Sequence, residues 1–199
     1  MPIEIDYYGS LSSPWTYFGH QRICELARKY NAKINFYPVE FSVVFAATGG
    51  LPLPKRSPER RAYRYMELKR WKKKLKLPLN LDPKFFPVPH TKAALMCMAA
   101  EKMGADNLAL AGKYLDAVWS EEKDITDDQT VIEIANSLGL NGNALFEKGQ
   151  TLTDEYESLA DEAISKGIFG APSYVIDGEI FWGQDRMEFV EEKLKEANE

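Results

Sequence analysis

The sequence predicts an α/β fold in which a long helical block interrupts a small sheet. Three observations support this prediction: the chain starts with a strand, helix, strand pattern, it ends with two strands and a helix, and the part between has an almost entirely helical pattern. Alternating apolar residues indicate strands, and apolar residues every three to four positions indicate helices. We therefore expect a discontinuous sheet domain from residues 1–41 and 167–199, with residues 42–166 inserted as a helical domain.

The N-terminal unit is predicted to be βαβ. Ile3, Ile5 and Tyr7 alternate with their neighbours as in a half-buried strand. A helix is expected over residues 14–30 and a second strand over residues 32–41. Because a single helix joins the two strands, they should be parallel, with a right-handed crossover.

The block that follows is predicted to contain six helices. Glycine follows several of them, as is usual at a helix C-terminus. The ranges are 57–75, 91–103, 106–120, 127–138, 143–150 and 151–166.

The first of these helices lies in a strongly basic stretch. Residues 55–76 hold eleven Lys and Arg against two Glu, a net charge of +9, which leaves −14 for the rest of a chain whose net charge is −5. A run of this kind is more often a solvated helix face than a nucleic-acid surface, and no nucleic-acid motif accompanies it. One face of the helix should pack against the protein, because three apolar residues and one glutamate recur at four-residue spacing. These positions are Tyr63, Glu67, Trp71 and Leu75.

The C-terminal unit is predicted to be ββα. Residues 173–182, SYVIDGEIFW, place two apolar runs around Asp177-Gly178, a strong signal for a two-residue hairpin. A helix is expected over residues 183–197. Its apolar face should hold Met187, Val190, Leu194 and Ala197.

The composition is that of an ordinary globular protein, with 45% hydrophobic and 28% charged residues among 199. The longest uncharged stretch, residues 41–54, is too short and too rich in Gly and Pro for a membrane helix. The N-terminus lacks the pattern of a secretory signal, so we expect a cytoplasmic protein that binds no membrane. Cys24 and Cys97 lie far apart in apolar helical patterns, which predicts free thiols, no disulfide and no metal site.

The pair Ser13-Pro14 lies at the junction between the first predicted strand and the first predicted helix. Serine at the N-cap and proline at the first helical position are a common helix start. No G-x-S-x-G elbow is present, and the only two histidines are His20 and His90. Considered locally, Ser13 is a cap far more often than a nucleophile.

The order of elements, with an X-Pro pair before the third strand, resembles the thioredoxin fold with a helical insertion. Pro172 would then be an edge proline or follow a cis bond. The loop that carries Cys-x-x-Cys in that fold reads SPWT at residues 13–16, so two-electron thiol chemistry is excluded at that loop.

More closely, the chain resembles the kappa-class glutathione transferases and the bacterial 2-hydroxychromene-2-carboxylate isomerases, a cysteine-free branch of the DsbA-like proteins. The resemblance spans nearly the whole chain, and its motifs are specific in order and spacing. They are SPWTYFG at 13–19, ERRAYRYMELKRW at 59–71, FFPVPHTKAA at 85–94, FGAP at 169–172 and FWGQDRMEF at 181–189.

This resemblance implies glutathione as the cofactor and a homodimer as the assembly. Ser13 at the helix N-terminus would donate its hydroxyl to the glutathione thiolate, and the helix dipole would lower the pKa of that thiol. Ala171, ahead of Pro172, would offer backbone groups to the tripeptide. The implied contacts to its γ-glutamyl end are Trp182, Gly183, Gln184 and Asp185. Without the resemblance, Asp185 is as readily a helix N-cap and Trp182 a core residue.

The substrate side is implied to lie in the helical insertion. Arg60 is the closest match to a basic residue that meets glutathione or a substrate carboxylate in the resembling enzymes, and Lys55 and Arg56 are further candidates. His90 stands where the isomerases have a polar residue near the substrate, although a lone histidine beside a helix start is more often a surface cap.

Three aromatic residues, Trp15, Phe45 and Tyr65, are candidates for lining an apolar pocket, although aromatic residues are more often core. Two features depart from the family pattern. Gly49-Gly50 stands where members often have Gly-Asn, and Phe45 occupies the area of an expected lysine.

Three functions follow from these observations. The first is a glutathione-dependent isomerase that acts on 2-hydroxychromene-2-carboxylate or a similar compound of aromatic catabolism. The second is a kappa-class-like glutathione transferase or peroxidase acting on an electrophile. The third is a non-catalytic thioredoxin-like binding module that lacks the cysteines.

Overall fold

The computed structural model describes residues 3–197. Within that range the protein has four strands, nine α-helices and one short 3₁₀ helix. The strands are β1 (Glu4–Gly9), β2 (Lys33–Pro38), β3 (Ser173–Ile176) and β4 (Glu179–Trp182). The helices are α1 (Pro14–Lys29), α2 (Phe41–Thr48), α3 (Pro58–Leu75), α4 (Thr91–Lys102), α5 (Asn107–Trp119), α6 (Asp128–Ser137), α7 (Gly142–Gln150), α8 (Thr153–Ser165) and α9 (Met187–Glu196), with the 3₁₀ helix at Leu53–Lys55.

The four strands form one mixed sheet in the order β2-β1-β3-β4. β1 and β2 are parallel, and β3 is antiparallel to both β1 and β4, so the predicted βαβ and ββα units are confirmed. In the middle of the sheet Tyr7 is paired with Phe36 and Tyr174, and all three are buried. The hairpin turn has positive φ at Asp177 (51°) and Gly178 (81°), as a type I′ turn requires.

Most helices begin at a residue whose side chain accepts a hydrogen bond from the first turn. These caps are Ser13 for α1, Glu40 for α2, Ser57 for α3, Asp106 for α5, Asp127 for α6 and Asn141 for α7. Several helices also end at or just before a glycine with positive φ, where a side chain would be strained. These glycines are Gly49, Gly104, Gly139 and Gly167.

The insertion is organised around α4, which packs against α5, α6, α7 and β2 and has seven buried residues. α1 connects the two parts of the molecule, because it lies against β2 and α9 and also against α5. One continuous apolar core therefore runs from the sheet into the insertion. The domain limits given above stay a prediction.

Three details differ from the sequence-based expectations. α2 was not predicted as a helix, because its sequence FSVVFAAT is apolar on all sides and has no helical period. α3 packs through Leu68, which is buried, whereas the expected Tyr63 is 58% exposed. α9 begins at Met187, after a turn over 183–186, and Ala197 at its end is exposed.

The sequence also predicted that the chain has no membrane-spanning helix. Among residues 3–197, no helix combines the length and the apolar character needed to cross a membrane.

Candidate functional site

The loop between β1 and α1 brings three serines to the edge of the sheet. Ser13 caps α1: its Oγ accepts a hydrogen bond from the backbone N–H of Thr16 at 3.3 Å, and Pro14 occupies the first helical position. The hydroxyls of Ser10 and Ser12 lie 3.2 Å apart. Because the Ser13 oxygen acts as an acceptor for the helix, its own hydrogen remains available to donate. The amides of the first turn also give this end of α1 a partial positive charge.

Ser13 opens into a cavity of about 740 Å³ between the sheet edge and the insertion. Its walls come from the β1–α1 loop, from α2 and the segment after it, from α3, from the segment before α4, and from the loops flanking β3 and β4. Of the predicted site residues, six line this cavity: Ser13, Arg56, Arg60, His90, Ala171 and Trp182. Residues from both ends of the sequence therefore meet at one place.

The sheet side of the cavity is shaped by Ala171 and Trp182. The Ala171–Pro172 peptide bond is cis, one of the two arrangements expected from the sequence. Trp182 is 52% exposed and its ring contacts that of Phe169 at a centroid distance of 4.8 Å, so Trp182 is not a core residue. A β-carbon on Gly170 would lie 2.3 Å from Trp182 Nε1, which explains why glycine stands there.

The insertion side includes α2 and the two glycines that follow it. A β-carbon on Gly50 would lie 2.4 Å from Phe45 Cδ1. An asparagine at position 50, as in many resembling proteins, would therefore displace the Phe45 ring. Gly50 and Phe45, the two departures from the family pattern, are therefore linked, because the Phe45 ring fills the space beside Gly50. Phe45 and Trp15 both line the cavity, whereas Tyr65 does not.

Three arginines form the basic wall of the cavity: Arg56, Arg60 and Arg64. The pKa of Arg64 is lowered to about 10, first by burial and then by the charge of Arg56. Burial, followed by the charge of Arg60, also lowers the pKa of Arg56. Glu40 is the single acidic residue among the described residues of the lining, so the cavity favours anions.

His90 and Glu40 lie together in the same cavity. His90 is 3% exposed, and its Nε2 lies 3.9 Å from Glu40 Oε2, while the other Glu40 oxygen accepts the Ser42 N–H. His90 Nδ1 is buried without a hydrogen-bond partner among residues 3–197. His90 is therefore not the surface cap that the sequence alone favoured: it precedes α4 but makes no capping hydrogen bond.

Five predicted site residues do not line the cavity: Lys55, Pro172, Gly183, Gln184 and Asp185. Gln184 is buried, and its side-chain oxygen accepts a hydrogen bond from Arg22 at 2.9 Å. Asp185 pairs with Arg186 at 2.7 Å and is not the N-cap of α9, which is Arg186. The Pro172 carbonyl accepts the Gly183 N–H at 2.9 Å, which ties this turn to the cavity edge.

The structure adds residues that sequence reasoning did not single out, chiefly Glu40 and Arg64. Arg64 follows Arg60 by one helical turn, so the spacing was a usable signal once one arginine was chosen. Glu40 gave no signal of its own, because its partner His90 is distant in sequence.

A second cavity, of about 560 Å³, lies between α1 and α5. It contains the other histidine, His20, whose Nε2 lies 2.9 Å from the Leu108 carbonyl and whose Nδ1 lies 3.3 Å from the Tyr7 hydroxyl. Cys24 also lines it, and burial raises the pKa of that thiol to about 11. Both cysteines are free, and no cluster of metal-ligating side chains occurs in the described part of the chain.

Comparison with known proteins gives three kinds of match. A model of the DSBA-like thioredoxin domain matches residues 4–195. The 2-hydroxychromene-2-carboxylate isomerase of Sphingobium xenophagum is 28% identical over 198 residues, covering 98% of this chain and 99% of that protein. Glutathione S-transferase kappa 1 of Homo sapiens is 25% identical over 210 residues, covering 98% of this chain and 92% of that protein.

Solved structures agree on the fold. A 2-hydroxychromene-2-carboxylate isomerase aligns with a TM-score of 0.81 at 22% identity, over 98% of this chain and 95% of that one. The cytosolic disulfide reductase DsbM of Pseudomonas aeruginosa, in a structure with GSH, aligns with a TM-score of 0.67 at 14% identity, over 96% of this chain and 99% of that one. The predicted thioredoxin-like fold with a helical insertion, and the resemblance seen in the sequence, are confirmed.

Proposed function

Because this chain belongs to the DSBA-like thioredoxin domain family, we propose that it is a glutathione-dependent isomerase of 2-hydroxychromene-2-carboxylate or a similar aromatic compound. The observation that carries the proposal is the position of Ser13. Its hydroxyl and the N-terminus of α1 face a large cavity with a basic wall, where the thioredoxin fold otherwise has its cysteines. Relatives named as this isomerase align over nearly the whole chain, which supports the same assignment.

The residues of the cavity fit glutathione. The tripeptide carries two carboxylates, and the lining has three arginines against one glutamate. The cavity volume of about 740 Å³ lies within the usual range for small-molecule sites. When bound, glutathione would supply a thiolate that adds reversibly to a conjugated carbon of the substrate and so permits rotation about the former double bond.

The protein's own contribution is electrostatic and positional. Ser13 would donate its hydroxyl to the anionic sulfur, which favours the thiolate together with the positive end of α1. Arg60 and Arg56 would hold carboxylates, since guanidinium groups bind them in two-pronged hydrogen bonds. Ala171 would offer its backbone at the cavity edge, and the rings of Trp182 and Phe169 would shield that edge from water.

The turn over residues 183–186 would contribute indirectly. The Gly183 N–H donates a hydrogen bond to the Pro172 carbonyl, and the Gln184 side-chain oxygen accepts one from Arg22. Both residues would therefore fix the edge on which Ala171 lies. Asp185 is exposed and would reach the ammonium group of the γ-glutamyl end only from outside the cavity lining. Lys55, also exposed, would act at the mouth through its charge alone.

The direct test is conversion of 2-hydroxychromene-2-carboxylate to the ring-opened benzylidenepyruvate, followed optically with and without glutathione. We expect rapid conversion that requires glutathione and is not supported by S-methylglutathione, which has no free thiol. Glutathione should also raise the melting temperature by about 5–10 °C at a hundredfold excess over its Kd.

A transferase is the second candidate, supported by the relative named glutathione S-transferase kappa 1. Its signature would be binding of glutathione without conversion of the chromene, together with consumption of glutathione by a simple electrophile such as 1-chloro-2,4-dinitrobenzene. By the same likeness we propose a homodimer, which light scattering would detect as twice the 22.6 kDa mass of one chain.

A further inference from the structure

The pair Glu40 and His90 is the least explained polar feature of the cavity. A buried histidine normally has both ring nitrogens hydrogen-bonded, because an unpaired polar atom away from water costs free energy. His20 follows this rule, whereas His90 Nδ1 is unpaired among residues 3–197. His90 Nε2 and Glu40 Oε2, at 3.9 Å, are too far apart for a direct hydrogen bond. His90 lines the cavity and its Nε2 has no direct hydrogen bond within the described part of the chain either, so a substrate oxygen in the cavity can hydrogen-bond with Nε2.

We propose that His90 carries the proton that opening of the substrate ring requires, and that the nearby charge of Glu40 stabilises the protonated ring. The proposal rests on the function proposed above. In the ring form, the substrate has a hydroxyl and the ring oxygen on one carbon. The O–H bond breaks and its proton goes to the imidazole, the electron pair forms the new C=O bond, and the bond from that carbon to the ring oxygen breaks. The ring oxygen leaves with its electron pair and takes the same proton back from the imidazolium, so no proton is gained or lost overall.

The surroundings of His90 suit a group that accepts a proton and returns it. Burial lowers the pKa of His90, so the ring is neutral at pH 7 and ready to accept, and the Glu40 carboxylate opposes that effect by stabilising the imidazolium. From α8, the Tyr156 ring faces His90 edge-on at 6.5 Å, and burial raises the pKa of that phenol, so it stays neutral. The remaining charged groups of the same cavity are the arginines of its basic wall, which disfavour the imidazolium.

The kinetic test compares His90→Gln, His90→Phe and Glu40→Gln with the unmodified protein. General acid–base catalysis contributes about 10²–10⁴-fold, so both His90 variants should lower kcat for the chromene by at least about 100-fold. Their Kd for glutathione should stay within about twofold, because the role concerns the substrate proton. Glu40→Gln keeps an oxygen for the Ser42 N–H, so α2 stays capped, and kcat should fall by a smaller factor.

A second readout does not depend on turnover. The sequence has two histidines, so imidazole NMR of the protein without ligand resolves His90 from His20, and His90→Gln assigns the signals. Glu40→Gln should lower the pKa of His90 and leave that of His20 unchanged, because it removes the carboxylate that favours the imidazolium. The acidic limb of the kcat/KM profile should move to lower pH with it.

The possible results distinguish failure of the proton-transfer role from failure of the isomerase proposal. Retention of kcat in His90→Gln or His90→Phe, or an unmoved His90 titration in Glu40→Gln, would reject the proton-transfer role while leaving the isomerase proposal in place. Absence of glutathione-dependent conversion by the unmodified protein would reject both. A variant that fails to fold is recognised by its melting curve, and the remaining His90 variant and the titration then decide.

Discussion

Helix α1 has a cavity at its N-terminus and another along its flank, and the two differ in chemistry far more than in size. Their volumes are about 740 and 560 Å³. The first combines a helix N-terminus, a basic wall and a histidine with an unpaired nitrogen. The second contains a histidine with both nitrogens engaged, and its charged residues are of both signs, with Lys113 and Asp116 3.6 Å apart.

This comparison shows that empty space alone does not identify a site. In the α1–α5 cavity, both nitrogens of His20 and the charges of Lys113 and Asp116 already have partners within the protein. In the Ser13 cavity, donors and positive charge converge on a space that the protein itself does not fill. We therefore propose that the Ser13 hydroxyl acts in catalysis, whereas His20 and Cys24 belong to the structure.

The largest expected effect is that of Ser13→Ala. Removing a donor aimed at a developing or resident anion in an active site costs about 10²–10³-fold in rate, so kcat for the chromene should fall by that factor. The variant also loses the α1 cap, worth about 1 kcal/mol of stability. Asn141→Ala is the matched control, because it removes the same kind of cap from α7, away from the cavity.

Steady-state rates and melting temperatures of the two variants test this prediction together. Asn141→Ala should lose similar stability and keep its activity. If Ser13→Ala also keeps full glutathione-dependent turnover, the cavity is not the reaction site, and a non-catalytic binding module becomes the better description.

The next effect concerns the flank cavity and the pH dependence of stability. Burial lowers the pKa of His20 to about 4, whereas a histidine in the unfolded chain titrates near 6.5. Between these values the unfolded chain binds more protons, so His20 contributes stability that is complete above pH 6.5 and is lost as the pH falls towards 4. The loss amounts to about 3 kcal/mol.

Urea unfolding at pH 7 and pH 4 measures this loss. In His20→Gln the difference in unfolding free energy between the two pH values should shrink by about 3 kcal/mol relative to the unmodified protein. An equal difference in both proteins would mean that His20 is charged or exposed in the fold, and the contrast between the two histidines would fail.

Local signals made much of the fold predictable. The Ser13-Pro14 start of α1, the Asp177-Gly178 hairpin and the glycines after the helices are each decided by a few neighbouring residues, and the structure agrees with them. α2 was missed because an octapeptide that is apolar on every side has no period to detect.

The site was predictable only in part, because much of it depends on packing between distant segments. Glu40 and His90 meet through the fold, and neither marks the other in the sequence. Gln184 was expected to contact glutathione, but the structure commits its side-chain oxygen to Arg22 of α1. Periodicity identified α3 as a helix, yet it assigned Tyr63 to the packed face, which Leu68 occupies instead.

A smaller effect should follow from the basic wall. Arg60→Gln removes one charge that faces the cavity, and charge-assisted hydrogen bonds contribute about 1.5–3 kcal/mol, so the KM for glutathione should rise by about tenfold or more. Arg61→Gln is the matched control, because Arg61 is the next residue of the same helix, is exposed and does not line the cavity. Equal KM values for the two variants would show that the helix acts through its general charge and not through the cavity wall.

The smallest expected effect is that of Cys24→Ala, because the comparison gives the α1–α5 cavity no part in the reaction. With its pKa raised to about 11, the Cys24 thiol is ionised to roughly one part in ten thousand at pH 7, so it is a poor nucleophile. It also lies in the α1–α5 cavity, and the described lining of the Ser13 cavity contains no cysteine. Cys24→Ala should therefore keep kcat and the KM for glutathione within about twofold, as should Cys97→Ala, and native protein should react slowly with Ellman's reagent until it is unfolded. A large loss of kcat on replacing Cys24, with the melting temperature unchanged, would move the chemistry to the flank of α1 and reverse the assignment of the two cavities.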